Sequence, residues 1–146
     1  TIRDPDRRGP APVWIADGVI WVRGELAHVQ RRVLDFLKRQ ARARFEDRAL
    51  ELAARLGAAP SRITVRDTAS RWGSCSSTRS LSFSWRLILA PDPVLDYVVA
   101  HEVAHLREMN HGPRFWAHVR ALIADLDSPQ DWLKTNGRDL QRYAAN

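Results

Sequence analysis

The stretch that decides the fold reads Val94-Leu95-Asp96-Tyr97-Val98-Val99-Ala100-His101-Glu102-Val103-Ala104-His105-Leu106. Its length and apolar content predict one buried helix. Two histidines four residues apart lie on one helical face, with about 5–6 Å between their Cβ atoms, so both imidazoles can bind one metal ion. Glu102 points about a quarter-turn away, toward a water on that metal. The stretch therefore predicts a metal site with Glu102 as general base.

The residues around this motif argue against a surface helix. His-Glu-x-x-His also occurs by chance in unrelated proteins, usually on exposed helices. Here most of the intervening and flanking residues are apolar, namely Val98, Val99, Ala100, Val103, Ala104 and Leu106. Burying two histidines and a glutamate without a partner would cost several kcal/mol. A bound metal removes that cost, and we therefore predict a metal site.

A catalytic zinc site needs a third protein ligand and an open position for water. Thermolysin-like enzymes use a downstream glutamate, which is disfavoured here because no glutamate follows Glu108. On a continuous helix His111 would point away from His105. Asn110-His111-Gly112-Pro113 predicts a helix break that can return the chain toward the metal. His111 is the preferred third ligand, and His118, Glu108 and the downstream aspartates remain alternatives.

Periodicity places further elements around the buried helix. Residues 13–15 and 19–22 flank Ala16-Asp17-Gly18 and predict a hairpin. Apolar residues at helical spacing predict a long amphipathic helix over residues 26–56, either continuous or broken near its middle. Alternation predicts strands at residues 63–65 and 81–87, with a polar loop at 70–77 between them. Further helices are expected at residues 115–126 and at 129–143, the latter with an interruption at Asn136-Gly137. The order indicates an α+β fold with a small sheet against helices.

Composition sets the broad class of the protein. The chain has 146 residues, 45% of them hydrophobic, and six tryptophans, which favours a folded domain with its own core. A single cysteine, Cys75, excludes an internal disulfide and suits a reducing compartment. No run approaches the roughly 18 apolar residues of a membrane span, and no signal-peptide pattern is present. We expect a cytoplasmic protein without a membrane partner.

The N-terminal residues differ in composition from the rest of the chain. Residues 1–12 are rich in proline, arginine and aspartate and predict a linker, which leaves residues 13–146 as a single domain. The sequence begins at Thr1 and its only methionine is Met109. We therefore expect it to be the C-terminal part of a longer parent.

The net charge is +6 and all but two of the 23 basic residues are arginine. Arginines recur on the outer face of the predicted long helix, at Arg31, Arg32, Arg39, Arg42, Arg48 and Arg55. This basic helix face makes a nucleic acid a candidate partner. So lopsided an arginine bias also arises from codon composition, and charge alone does not decide the function.

Five motifs follow one another along the chain: Arg71-Trp72-Gly73-Ser74-Cys75-Ser76, Leu81-Ser82-Phe83-Ser84-Trp85-Arg86-Leu87, His101-Glu102-Val103-Ala104-His105, Asn110-His111 and Phe115-Trp116. Over residues 14–126 the sequence resembles the YgjP-like metallopeptidase family, within the broader SprT-like group of zincins. The resemblance implies a minimal zincin fold, with a small antiparallel sheet packed on a long helix and on the active-site helix. It also implies one Zn²⁺ ion per chain, or nickel or another divalent transition metal. The implied ligands are His101, His105 and His111, with Glu102 as general base.

The resemblance also suggests where a substrate binds. The loop around Trp72 would lie near the cleft rim, where zincins commonly hold an extended peptide by strand addition. Trp72, Gly73 and Ser74 are therefore candidate substrate contacts. In the alternative interpretation Trp72 fills the core and the serines cap a turn. Candidates for stabilising the oxyanion are Arg71, Arg86, Tyr97 and His118.

The expected reaction is hydrolysis of peptide bonds in a peptide or protein substrate. Some members of the resembling family are described as nucleoside-triphosphate pyrophosphatases, so a metal-dependent UTP pyrophosphatase is one alternative. A SprT-like protease of DNA–protein crosslinks is a second, and a binding module with a structural metal is a third. The sequence leaves the physiological substrate and the oligomeric state open.

Overall fold

The structure is a computed structural model that describes residues 2–3, 13–16, 18–22, 28–68 and 70–142. The chain divides into two compact units, residues 1–40 and 41–146, and each is described by itself. The predicted linker at residues 1–12 and the predicted single domain at 13–146 stay predictions. Within that linker Ile2–Arg3 form a strand, and residues 4–12 lie outside the described residues.

The first unit contains a three-stranded sheet in the order β1-β3-β2. Its strands are β1 (Ile2–Arg3), β2 (Val13–Ala16) and β3 (Val19–Val22). β2 and β3 pair antiparallel, with Ala16 opposite Val19, so the predicted hairpin is confirmed. Gly18 in the turn has a φ of +70°, a conformation that glycine adopts without the Cβ clash of other residues.

Helix α1 (Val29–Arg55) is continuous, which decides between the one-helix and two-helix alternatives. In the second unit its fully buried positions are Ala41, Phe45, Ala49 and Leu52. These positions recur every three or four residues, as expected for one face of a helix packed on a core. Gly57, with a φ of +66°, ends the helix in a left-handed conformation, and Ala58 N donates to Ala53 O at 3.0 Å.

The second unit contains a three-stranded sheet in the order β4-β6-β5. Its strands are β4 (Arg62–Arg66), β5 (Gly73–Cys75) and β6 (Ser80–Ser84). β5 pairs antiparallel with β6, but β4 runs parallel to β6. The sheet is therefore mixed, and the predicted purely antiparallel arrangement is wrong in this detail. The chain reverses direction both after β4 and after β5, so β6 returns to the direction of β4.

Three predicted boundaries are corrected. The strand predicted at 81–87 ends at Ser84, because the Ser84 hydroxyl accepts from Arg86 N at 3.4 Å and caps a 3-10 helix, Trp85–Leu89. Part of the loop predicted at 70–77 forms β5, whose three small residues lack a clear period. The predicted last helix has no interruption: α4 is continuous over Asp127–Arg142.

Helix α2 (Asp92–Ala104) carries the His-Glu-x-x-His motif, within two residues of the predicted 94–106. Pro93 lies in its first turn, where the missing N–H costs nothing. Helix α3 is Pro113–Leu122, shorter than the predicted 115–126. The predicted α+β class is confirmed. No helix among the described residues is both long and apolar enough to span a membrane.

In the core of the second unit, α1 and α2 both pack on one face of the sheet. The rings of Phe45 on α1 and Phe83 on β6 stack with their centroids 4.6 Å apart. The two helices are also joined, because Arg48 Nε on α1 donates to Asp96 on α2 at 2.9 Å. This bond anchors the N-terminal half of α2 to α1. The motif residues lie near the C-terminal end of α2.

Candidate metal centre

The imidazoles of His101, His105 and His111 form one cluster. One ring nitrogen from each lies within 4.8 Å of the other two, and the Nε2 atoms of His105 and His111 are 3.0 Å apart. Nitrogens that share one tetrahedral zinc ion are about 3.3 Å apart at ordinary bond lengths. The donor set and its spacing therefore fit a divalent transition metal.

The chain reaches this geometry by ending one helix and starting another. α2 ends at Ala104, His105 is its C-cap, and the turn continues with Glu108 N donating to Ala104 O at 3.1 Å. α3 then begins at Pro113. The predicted helix break is confirmed, although α2 ends earlier than expected. His111 lies in the connection and not on either helix, which is why it can face His105.

Hydrogen bonding defines the tautomer of His105. Its Nδ1 lies 3.1 Å from the carbonyl oxygen of Glu108, which can only accept, so Nδ1 carries the proton. Its Nε2 lone pair then faces His111. Burial lowers the pKa of His105, with smaller opposing effects from Glu108 and Glu102. The neutral imidazole that a metal requires is therefore favoured.

Among the described residues, Glu108, His118 and the downstream aspartates, the alternatives for third ligand, are not in the cluster. Glu108 offers its backbone carbonyl, not its carboxylate, to His105. His118 lies half-buried on α3. Within the described part of the chain, the group of residues that could share a metal contains neither of them. The structure thus brings together the preferred set of three histidines.

Glu102 is buried beside this cluster, with 7% of its surface exposed. Its Oε2 lies 3.2 Å from His101 Nδ1. On its other side is Gly73 of β5, where an added Cβ would be 2.9 Å from Glu102 Cγ and 3.2 Å from Val98 Cγ1. Only glycine allows β5 to approach the carboxylate this closely. Gly73, a predicted substrate contact, therefore lies next to the predicted base.

Two aromatic residues of α3 form an apolar wall behind the histidines. Phe115 is fully buried, and its ring centroid lies 4.4 Å from that of His105, 5.0 Å from His101 and 4.9 Å from His111. Trp116 packs at 5.9 Å from His101. Sequence reasoning did not count either among the site residues. The signal available was the Phe115-Trp116 motif, which was quoted for the family resemblance without a role at the site.

Trp72 precedes β5 and is held from two directions. Its carbonyl oxygen accepts from Ser84 N at 2.9 Å, and its indole packs on α4, where a Cβ at Gly137 would lie 3.3 Å from Trp72 Cζ2. The packing of the indole on α4 fits the predicted core role, and the predicted substrate contact stays a prediction. Ser74 follows on β5 opposite Ser82.

The four candidates for stabilising the oxyanion differ in their contacts with the histidine cluster. Tyr97 lies one helical turn before His101, with ring centroids 6.2 Å apart, and its hydroxyl accepts from Gln130 Nε2 at 2.8 Å. Arg86 is 2% exposed and forms an ion pair with Asp67. Arg71 is exposed beside Trp72, and His118 lies outside the histidine cluster. Tyr97 is the candidate in ring contact with a cluster histidine.

Two solved structures that are similar in fold are described as metallopeptidase zymogens. The crystal structure of Pyrococcus abyssi abylysin has a TM-score of 0.56 at 18% identity, covering 62% of this chain and 92% of abylysin. That of Methanocaldococcus jannaschii jannalysin has a TM-score of 0.55 at 20% identity, covering 62% of this chain and 94% of jannalysin. A comparison with curated proteins found no match. The fold is therefore minimal and zincin-like, as predicted.

This fold, with three imidazoles that could share one metal, is the architecture of a metal-dependent hydrolase. The family model described as YgjP-like, metallopeptidase domain, matches residues 15–136. The chain belongs to the YgjP-like family. Membership makes it a metallopeptidase, with peptides or proteins as its class of substrate, and confirms the resemblance seen in the sequence. Membership of the broader SprT-like group stays a prediction.

Proposed function

We propose that the protein is a zinc-dependent peptidase in which His101, His105 and His111 hold one Zn²⁺ ion and Glu102 is the general base. The observation that carries this proposal is the meeting of three imidazoles within 4.8 Å beside a buried carboxylate. A buried glutamate and two inward-facing histidines are costly to keep without a function.

Three nitrogen donors favour zinc or nickel over magnesium, which prefers oxygen ligands. When bound, such a metal would act as a Lewis acid on the scissile carbonyl and lower the pKa of water toward about 7. His105 is prepared for this role, because the bond from its Nδ1 to Glu108 leaves Nε2 free to donate its lone pair.

Glu102 supplies the proton transfer in this proposal. Its carboxylate accepts a proton from the attacking water and passes it to the leaving amide nitrogen. The contact with His101 Nδ1 at 3.2 Å and the close approach of Gly73 hold the carboxylate in one place. Restricted motion of a base lowers the entropy cost of reaching the transition state.

β5 is the proposed substrate-binding strand. It lies at the edge of its sheet, so its outer backbone groups can pair with an extended peptide. Because Gly73 contacts Glu102, a peptide on this edge would pass beside the base. Trp72 and Ser74 flank that point and would contact the same peptide.

Tyr97 is the proposed oxyanion donor. Its hydroxyl accepts a hydrogen bond from Gln130 at 2.8 Å, and a phenol can accept and donate at once. The hydroxyl hydrogen is therefore available to a developing negative charge. Arg86 is a weaker candidate because its guanidinium is paired with Asp67.

The alternative functions have distinct expectations. Two arginines of the proposed nucleic-acid face make contacts inside the second unit: Arg48 binds Asp96 and Glu51, and Arg55 donates to Ala121 O. DNA binding therefore stays a prediction, and a steep salt dependence of single-stranded DNA affinity would support it.

One experiment separates the classes. Metal-replete wild type, Glu102→Gln and the control Glu108→Gln are incubated with casein, with a protein crosslinked to single-stranded DNA, and with UTP. We expect casein cleavage by wild type and by the control, and a loss of about 10²-fold or more in Glu102→Gln at equal metal content. Turnover of UTP alone would instead support the pyrophosphatase, and cleavage of the crosslinked protein alone would support the DNA-associated protease.

A further inference from the structure

The sheet of the second unit has two chemically different faces. Gly73 lies opposite Phe83 in the register, and this face packs on Glu102 and on α1. The next residue pair, Ser74 and Ser82, must point to the other face because strand side chains alternate. Arg66 of β4, opposite Ser84, completes a polar face directed away from the metal cluster.

A cavity of about 380 Å³ lies at this polar face. Its lining includes Arg66, Arg71, Trp72, Ser74, Ser82 and Ser84, and the described residues that line it include no acidic residue. Arg66 and Arg71 are exposed, and neither guanidinium has an ion pair or hydrogen bond to another residue in the described part of the chain. In contrast, the nearby Arg86 is buried and paired with Asp67.

The cavity borders the proposed substrate-binding strand. A peptide paired with the edge of β5 would direct alternate side chains to the two faces of the sheet. One set would face Glu102 through Gly73, and the other set would face the cavity. We propose that this cavity is an anion subsite that binds an acidic side chain of a peptide lying along β5, an inference that rests on the proposed function.

The lining suits a carboxylate. A guanidinium offers planar, paired N–H donors that match the two carboxylate oxygens, and serine hydroxyls donate as well. A peptide carboxylate would meet two unpaired positive charges without displacing an existing ion pair. The subsite therefore selects aspartate or glutamate at alternate substrate positions.

The first test is a scan of peptides derived from one neutral parent, with Glu, Gln or Lys placed in turn at each position. We expect kcat/KM to favour Glu over Gln by about three- to tenfold at every second position near the scissile bond. The preference should fall as ionic strength rises. A Glu preference that is equal at all positions would report only the positive net charge and would overturn the subsite, as would no preference.

The second test reverses the charge of the cavity. Arg66→Glu and Arg71→Glu should favour Lys over Glu at the same alternate positions, whereas Arg71→Lys should retain the original preference. The matched control is Arg62→Glu, an exposed change on the same strand, β4, at a residue that lines a different cavity. Reversal in the control, or no reversal in the two cavity variants, would contradict the proposal.

A binding measurement separates this inference from the proposed function. Fluorescence anisotropy can measure the affinity of the Glu102→Gln variant for labelled Glu, Gln and Lys peptides. No peptide is hydrolysed in this measurement, so the affinities report the subsite alone. Cleavage of the neutral parent together with charge-independent binding overturns the subsite and leaves the peptidase intact. Charge-dependent binding without cleavage by wild type contradicts the peptidase alone. Displacement of every peptide by an oligonucleotide, with no preference for Glu, would make the cavity a phosphate site and overturn the proposal.

Discussion

The Nε2 atoms of His105 and His111 lie 3.0 Å apart, although one residue ends α2 and the other precedes α3. With His105 protonated on Nδ1, this contact is a hydrogen bond from His111 to the Nε2 lone pair of His105. A metal between the two rings would need the Nε2 lone pairs of both, so the His111 proton would move to Nδ1 as the metal binds. Protons compete with a metal for imidazole nitrogens, and metal binding should therefore become tighter as the pH rises.

His111→Ala should lower metal content and affinity sharply, because it removes one of three nitrogen donors. His118→Ala is the matched control, since His118 lies outside the cluster. Metal bound per chain, measured by atomic emission after dialysis, should fall well below one for the first variant and stay near one for the second. Unchanged metal content in His111→Ala, with a loss in His118→Ala, would move the third-ligand role to His118.

Gly73→Ala should impair turnover without loss of metal. The new methyl group would lie 2.9 Å from Glu102 Cγ, so either the carboxylate or β5 must shift. We expect kcat to fall about tenfold or more, because small displacements of a base are costly, with a stability loss of about 1–3 kcal/mol. Gly112→Ala is the control, because its Cβ would meet nothing within 4 Å. An unchanged kcat in Gly73→Ala would show that the close approach of β5 to Glu102 is not needed for catalysis.

Gly137→Ala should affect substrate binding more than stability. Alanine gains about 1 kcal/mol of helix propensity, but its Cβ would lie 3.3 Å from the Trp72 indole. A shift of Trp72 would be transmitted to β5 through the backbone, because Gly73 is the next residue, and it would disturb the bond from Ser84 N of β6 to the Trp72 carbonyl. We expect a several-fold higher KM with the free energy of unfolding changed by less than about 1 kcal/mol. Lower stability with an unchanged KM would show that Trp72 stabilises the fold and does not contribute to substrate binding.

Cys75 should react slowly with iodoacetamide. Burial, and to a smaller extent the charge of Glu102, raises the pKa of this thiol from 9.0 to about 11. At pH 8 the thiolate fraction then falls about a hundredfold. Glu102→Gln should speed alkylation because it removes the negative charge, and urea-unfolded protein supplies the reference rate. Reaction of the folded protein at the unfolded rate would contradict this expectation.

The stability of the metal-free protein should fall on acidification. Burial lowers the pKa of His105 in the folded state, so below about pH 6.5 the unfolded chain binds a proton that the folded chain does not. The stability that neutral His105 contributes is fully present above that pH and is lost as the pH falls below it. Urea midpoints at pH 5 to 8 should show this slope, and His105→Asn should flatten it. If the pH dependence of the urea midpoint is unchanged in His105→Asn, it arises from other titratable groups.

Local patterns were sufficient for much of this structure. The apolar run with two histidines predicted α2, and Asp17-Gly18 between alternating residues predicted the hairpin. The turn residues around His111 predicted the helix break that lets this histidine face His105. Each of these features depends on neighbours within about ten residues, which is the range over which helix, turn and strand preferences act.

Other features could not be predicted because they depend on distant residues. β5 consists of Gly73, Ser74 and Cys75, which are too few and too small to show a period. The parallel pairing of β4 with β6 depends on two successive chain reversals. The alternation of apolar and polar residues continues to Leu87, but β6 ends at Ser84. There the Ser84 hydroxyl accepts from Arg86 N and caps the 3-10 helix.

The sequence by itself determined the chemistry of the candidate site: two imidazoles and a carboxylate on one buried helix, and a third imidazole after a break, because residue type and helical spacing act locally. Only the tertiary structure decided what surrounds those groups. Phe115 behind the rings, Gly73 against Glu102 and Gly137 against Trp72 are contacts between separate elements. Such contacts arise when the elements pack, and packing depends on shape across the whole unit and not on any one stretch of chain.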